Sequence, residues 1–302
     1  MSWKPILVGV DATLEAARAA AVGARLADVA HTSCTLVHVV REAATPRAME
    51  ARPETPGDVS SLARGRETVV RALTGSVPAP LLEQLLVRSG RAPVALCRAA
   101  SELDAGLMVI GGKHHTMPGE WFGRSTAMHL ARTADVPVLV TGSGALPRRV
   151  LAAVDASAAA SVTLAAAQQW AALCGADLRV LSVVELLPVN AEMPFGQTDP
   201  GFYSGYYESA KTVVERDIWP LVTRPDAEKR LRFGRTLETI VHETQEWPAD
   251  LLVVGTHGRG WVERALLGSV AERLLHLLPA SLLVVPAHAA FVAQGGAQSR
   301  ST

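Results

Sequence analysis

Short apolar runs closed by turn residues alternate along this chain with longer stretches whose apolar residues recur at helical spacing. The first run, Ile6-Leu7-Val8-Gly9-Val10-Asp11, predicts a strand that ends on a carboxylate. Thr13 has the character of an N-cap for a helix from Leu14 to about Val29, since a hydroxyl there accepts a bond from an otherwise unpaired N–H. Cys34–Val40 reads as a second strand, the polar, proline-bearing Arg41–Ser61 as a loop, and Leu62–Leu73 as a helix. Further on, the pattern predicts a strand over Leu81–Val87, a helix over Ala92–Ser101 and a strand over Leu107–Ile110. A helix over Ser125–Thr133 and a closing strand over Val138–Val140 follow. Apolar runs without polar alternation are those of strands buried on both faces.

The same order then begins again, with Val150–Asp155 repeating Ile6–Asp11. One offset, 144 residues, relates Asp11 to Asp155, Val39 to Val183, Gly90 to Gly234 and Arg91 to Arg235. It also relates Gly111 to Gly255, Ser125 to Ser269, Ala127 to Ala271 and Leu139 to Leu283. Coincident apolar runs would not also align Asp, Gly-Arg and Ser, so the chain holds two copies of one βαβαβαβαβ unit. Alternating strands and helices imply an α/β fold, a parallel sheet with helices on both faces. The expected domains are residues 1–144 and 145–288, joined through Gly142–Pro147, with the small, polar 289–302 as a disordered tail. Leu186–Tyr207, rich in Pro, Gly and Tyr, reads as a loop, either a cover or partner contact or a passive surface segment. An exposed apolar edge strand tends to pair with another edge. Val138–Val140 is therefore expected to pair with Leu282–Val285 in an intramolecular pseudo-dimer, with homodimerisation of the chain left open.

Composition then narrows the function classes. Apolar residues make up 49% of the 302, ample for two cores. Lys+Arg and Asp+Glu number 29 each; residues 1–144 hold 15 and 13, leaving 14 and 16 for the remainder. Neither half has the basic excess of a nucleic-acid binder, and no apolar run approaches the length of a membrane span, so neither partner is expected. Cys34, Cys97 and Cys174 are far apart and form no C-x-x-C. They read as buried reduced thiols of a cytoplasmic protein. The run Ile6–Val10 is too short for the core of a secretion signal.

Candidate chemistry concentrates in Leu251–Val285. A buried strand, Leu251–Val254, is stopped by Gly255; Gly258 and Gly268 follow, then Ser269 and a helix over Val270–Leu277. Glycine lets backbone amides approach a ligand, and a helix start presents unpaired N–H groups and partial positive charge to an anion. Ser269 is placed either to cap the helix or to donate its hydroxyl to a phosphate, with His257 and Arg259 as further donors and Thr256 as an auxiliary. The spacing is neither a Walker A loop nor the dinucleotide G-x-G-x-x-G.

G-x-x-G, nine residues, then G-S resembles the ATP-binding signature of the universal stress protein family, and with the repeat the resemblance extends over nearly the whole chain, as a tandem member. It implies two doubly wound, Rossmann-like, five-stranded parallel sheets of the adenine nucleotide alpha hydrolase-like kind. It also implies a nucleotide at the carboxyl ends of the strands, where open α/β sheets bind ligands. By that resemblance Asp155 accepts hydrogen bonds from adenine or ribose. Ala153 lies beside the base, with Val183 and Val254 nearby. The phosphates meet Gly255, Gly258, Gly268, Ser269 and Val270, mainly through backbone N–H groups. ATP is the expected ligand, with Mg2+ as companion ion and ADP or AMP as alternatives.

The first unit departs from the pattern. It keeps Asp11, Val39, Gly111 and Ser125, but His114 stands for Gly258, Arg124 for Gly268 and Gly106 for Asp250. Its site reads as degraded, with Arg124 and Lys113 as substitute anion donors. His114-His115 lacks a spaced third ligand, so no metal site is expected. No G-x-S-x-G, H-E-x-x-H, kinase set or Walker pair occurs. The chain reads as a nucleotide-binding stress-response regulator acting on an unidentified regulatory protein, with at most slow hydrolysis. A slow ATPase or phosphotransferase using His257, or a nucleotide-free scaffold, are the alternatives.

Overall fold

The computed structural model describes residues 3–41, 59–112, 126–185, 200–256 and 267–288. The first half runs β1 (Ile6–Val10), α1 (Leu14–Ala30), β2 (Cys34–Val40), α2 (Val59–Leu73), α3 (Ala79–Glu83), β3 (Leu86–Ser89), α4 (Ala92–Glu102), β4 (Leu107–Gly111), α5 (Thr126–Thr133) and β5 (Val138–Thr141). The second runs β6 (Arg149–Ala153), α6 (Ala160–Cys174), β7 (Asp177–Val184), α7 (Pro200–Asp217), β8 (Glu228–Phe233), α8 (Thr236–Glu246), β9 (Leu251–Gly255), α9 (Ser269–Leu277) and β10 (Ser281–Val285).

All ten strands form one sheet in the order β3-β2-β1-β4-β5-β10-β9-β6-β7-β8. Within each half every ladder is parallel. The offset seen in the sequence is also the offset of the registers. Ile6 faces Cys34 and Leu107; adding 144 gives Val150 facing Leu178 and Leu251. Val37 faces Leu86 and Met108 faces Val138, matching Leu181 with Arg230 and Leu252 with Leu282.

The halves meet as expected, through their last strands: Leu282, Leu283 and Val284 pair antiparallel with Val140, Leu139 and Val138. Beside this ladder the Thr141 and Ser281 hydroxyls lie 3.3 Å apart, and Arg132 of α5 donates to Glu272 of α9 at 3.0 Å. Trp3 meets Trp170 of α6 edge to face at 6.2 Å. A Cβ on Gly112 would lie 2.5 Å from Val140 Cγ1 and 2.7 Å from Leu278 Cδ2, so these two side chains close over the glycine at that seam. Gly142–Pro147 is not slack, because Arg18 and Arg25 of α1 donate to the carbonyls of Gly142 and Gly144. Two apolar layers sandwich the sheet, and each takes residues from both halves. Leu251 and Val253 belong to one layer, Leu252 and Val254 to the other, and none is more than 4% exposed. β9 is therefore buried on both faces, as its unbroken apolar run requires.

Four boundaries differ from the sequence pattern. Leu81–Glu83 is the end of a short helix, because Pro80 sits in its first turn with φ already helical; the strand begins later, at Leu86. α2 starts at Val59, within the expected loop, and residues 42–58 lie outside the described residues. Tyr206 and Tyr207 belong to α7, which Pro200 opens, so the expected loop over Leu186–Tyr207 turns helical at its end; residues 186–199 lie outside the described residues. β6 stops at Ala153, so Asp155 follows the strand rather than ending it. The expected tail, 289–302, also lies outside the described residues.

The three cysteines are free but half-buried rather than buried. Burial, with the Asp28 charge second, pushes the Cys34 thiol from its ordinary 9.0 up to about 12. Burial alone raises Cys174 to about 11; Cys97 is also raised, chiefly by burial. Only the thiolate reacts. Alkylation of Cys34 at pH 8 is expected to run roughly a thousandfold slower in the native chain than after denaturation, from three pH units of thiolate population. Mass-resolved maleimide labelling measures it, and equal rates would refute it. Because the unfolded chain ionises the Cys34 thiol first, stability falls as pH rises from 9 towards 12.

Candidate functional site

A cleft of about 580 Å³ opens at the carboxyl ends of β6, β7 and β9. Its floor is strand: Ala153, Leu181, Val183 and Val254. One wall is the turn after β6, carrying Asp155 and Ser157, and the start of α6. Gly255, Thr256 and the first turn of α9 (Gly268, Ser269, Val270) form another, and α7 contributes Tyr206 and Ala210 to a third. Eight sequence-predicted positions, Ala153, Asp155, Val183, Val254, Gly255, Gly268, Ser269 and Val270, thus line one cavity. His257, Gly258 and Arg259 lie outside the described residues.

Backbone hydrogen bonds fix the anion-facing end. The Thr256 N–H donates to Val285 O at 2.9 Å, and the Gly268 N–H donates to Thr256 O at 2.7 Å, tying the start of α9 to the strand end. The Gly268 N–H is therefore spent within the protein, contrary to the expectation that it meets phosphate. Helix bonding begins with Glu272 N–H donating to Gly268 O, which leaves the N–H groups of Ser269, Val270 and Ala271 without intrahelical acceptors. Gly268 itself is the N-cap, with φ −60° and ψ 145° and no side-chain cap, so Ser269 is the first helical residue and, of the two roles expected of it, the cap falls to Gly268. That backbone suits any residue. The start of α6 points into the same cleft, and its N-cap, Ala159, makes no side-chain bond. Two helix dipoles thus present their positive ends to one cavity.

Ser157 was not singled out by sequence reasoning. Its Oγ is buried and has no hydrogen-bond partner. Its signal was the offset: 157 − 144 is 13, and Thr13 is the α1 N-cap, accepting from Ala16 N–H at 3.2 Å. The first half uses that hydroxyl to begin its helix at Leu14, whereas α6 begins at Ala160, two residues later by the offset (160 − 144 = 16).

The first half differs at the same place. Asp11 is committed to the turn, accepting from the Thr13 N–H at 3.0 Å and from its hydroxyl. A Cβ on Gly111 would meet the Glu15 carbonyl carbon and oxygen at 2.5 and 2.6 Å, so the first turn of α1 rests on the strand end. Val39 remains on β2, while Arg124, Ser125, Lys113, His114 and His115 lie outside the described residues. The Gly106-for-Asp250 difference does not bear on the site. Asp250 accepts from the N–H groups of Arg148 and Arg149, at 2.9 and 3.0 Å, at the opposite end of the sheet. Among the described residues no three His, Cys, Asp or Glu side chains group to hold a metal, and no helix is long and apolar enough to cross a membrane.

With this geometry in hand, comparison with known proteins is decisive for the family. The sequence model of the Universal stress protein family matches the chain twice, over residues 2–142 and 147–286. The chain belongs to the universal stress protein family, as a tandem member. A universal stress protein of Mycobacterium tuberculosis is 29% identical over 294 residues, covering 92% of this chain and 96% of the relative. One from Mycolicibacterium smegmatis is 27% identical over 296 residues, covering 93% and 96%. Among solved structures, a universal stress protein from Archaeoglobus fulgidus superposes with a TM-score of 0.62 at 16% identity, covering 94% of this chain and 98% of that one. A functionally unknown protein from Pseudomonas aeruginosa gives 0.59 at 19% identity, covering 95% and 94%. At such identities these two structures speak for the fold alone.

Proposed function

We propose that the second half of this universal stress protein binds one adenine nucleotide, ATP foremost, and that the chain acts as a nucleotide-responsive stress regulator rather than a turnover enzyme. The observation that carries this reading is the cleft itself. The bare start of α9, with its first-turn N–H groups and Gly255 beside it, faces a cavity whose turn after β6 carries Asp155. Donors suit phosphate, whereas a carboxylate repels it and accepts from ribose hydroxyls or an adenine amine. A volume near 580 Å³ lies within the range of small-molecule sites. The uncapped start of α6 and the orphaned Ser157 hydroxyl also fit a polar ligand. Of the two carboxylates that line the cleft among the described residues, Asp155 is placed for the base end and Glu185 follows β7, on the side away from α9, so neither is placed to hold Mg2+ at a γ-phosphate, as phosphoryl transfer requires; solvent and the phosphates themselves would hold that ion.

Mass spectrometry of small molecules released on denaturing the purified chain tests the reading. Stoichiometric ATP, ADP or AMP is expected; no nucleotide, with no binding on addition, would favour a scaffold. Phosphate release that falls in His257→Ala would instead favour an ATPase.

A further inference from the structure

We propose that Tyr206 provides the ring face against which the base of the bound nucleotide lies, making α7 the specificity wall of the cleft. This rests on the nucleotide reading above. In the sheet, β9 and β7 flank β6, so the phosphate-facing start of α9 and the β7 side of the cleft stand about 10 Å apart, two inter-strand steps. A nucleotide with its phosphates at Ser269 and Val270 and its ribose by Asp155 therefore carries its base toward β7 and α7.

On that side the lining is mostly aliphatic, as at Leu181, Val183, Ala210, Val213 and Ile240, with Ser182, Glu185, Ser209 and Thr236 as its polar positions; Tyr206 is the one aromatic among the described lining residues. Residues 206, 210 and 213 recur at helical spacing, which puts them on one face of α7. The Tyr206 hydroxyl already donates to Glu185 O, at 3.2 Å, across the end of β7. What the half-buried side chain offers a ligand is thus its ring, and that ring is held in place before binding. Tyr207 completes the anchorage: its ring packs edge on, 5.5 Å from Tyr206 and 5.1 Å from Phe233 at the end of β8. A fixed ring loses little entropy when a base stacks on it.

The test is isothermal titration of the full chain with ATP and, separately, with inorganic triphosphate, which has phosphates and no base. Tyr206→Leu is expected to weaken ATP by roughly 5- to 100-fold, the span of base–aromatic stacking, and to leave triphosphate unchanged. Tyr206→Phe, which keeps the ring and loses the bond to Glu185, should stay within about threefold of wild type for ATP, since a hydrogen bond remote from the ligand is lost. If Tyr206→Leu binds ATP as wild type does, or if Phe and Leu weaken ATP and triphosphate alike, Tyr206 only fastens α7 and the proposal falls while nucleotide binding stands. If wild type binds triphosphate but not ATP preferentially, the site has no base subsite and the proposal falls. If wild type binds neither, the nucleotide reading falls with it.

Discussion

Gly268→Arg is expected to abolish ATP binding while leaving the chain folded, and titration of the unmodified chain is expected to give one site, not two. The substitution copies Arg124 of the first half, since 124 + 144 is 268. Its backbone, φ −60° and ψ 145°, suits arginine as well as glycine. Only the loss of a tolerated N-cap weighs on stability, about 1 kcal/mol, or a few degrees in Tm. Binding is a different matter. Recognition of phosphate by the Ser269 and Val270 amides needs oxygens within about 3 Å of nitrogen, and a Cβ with a long side chain at the helix start stands in that path. Losing two or three charge-assisted bonds at about 1.5–3 kcal/mol each removes most of the roughly 8 kcal/mol that micromolar affinity represents. Asp155→Ala should weaken binding more modestly, since it removes contacts at the other end of the ligand. The first half carries a second difference. With the Glu15 backbone against Gly111, the double variant Arg124→Gly, His114→Gly should still not gain a site. Two equivalent sites, or ATP binding that survives Gly268→Arg with an unchanged Kd, would refute the assignment of the cleft.

How much of this the sequence carried follows from what kind of interaction each feature uses. The strands were legible because both faces are buried and the apolar runs are uninterrupted, and the repeat was legible because one offset preserves all four ladders in each half. The β5–β10 pairing followed from two apolar edges needing a partner. The cleft residues were legible because Gly255 and Gly268 mark backbone approach. α7 was not, since Pro200, Gly201 and Gly205 suggest a loop and the helix is held down by tertiary contacts: Val214 in the core, Tyr206 on Glu185 O and Tyr207 on Phe233. Nor was the short helix before β3, because Leu81–Val87 satisfies strand and helix patterns alike and a proline decides between them. The contact of α1 with Gly111 was hidden for a subtler reason. Thr13 was readable as an N-cap, but that a helix starting two residues earlier would lay Glu15 across Gly111 is a tertiary consequence of the cap.

The largest stability effect is expected at a cluster the sequence did not reveal. Glu243 of α8 is 1% exposed, and its two oxygens accept from Arg179 Nη1 at 2.7 Å and Arg232 Nε at 3.0 Å. Arg179, on β7, also donates from Nε to Glu228 at 2.7 Å and lies 4.5 Å over the Trp247 ring. Glu243→Ala leaves the buried Arg179 charge with only the half-exposed Glu228 as partner. Breaking one side of a buried pair costs about 3–5 kcal/mol, which in a chain of this size lowers Tm by roughly 6–10 °C. The pair itself is not what the fold needs. At the equivalent positions, 179 − 144 and 243 − 144, the first half has Thr35 and Ala99, and its β2–β3 ladder forms in the same register without such a pair, though it starts two residues later, at Val37. Arg88 there, the counterpart of Arg232, pairs with Glu102 at 3.2 Å, and Arg232 keeps Glu246 at 3.8 Å when Glu243 is removed. Copying the first half with Arg179→Thr on top of Glu243→Ala should therefore recover much of the loss, because the stranded charge is gone. Urea unfolding of both single variants, the double variant and the parent decides the matter: Glu243→Ala within about 1 kcal/mol of the parent, or a double variant less stable than Glu243→Ala by the full cost of Arg179→Thr alone, would show that Glu243 does not compensate a buried charge.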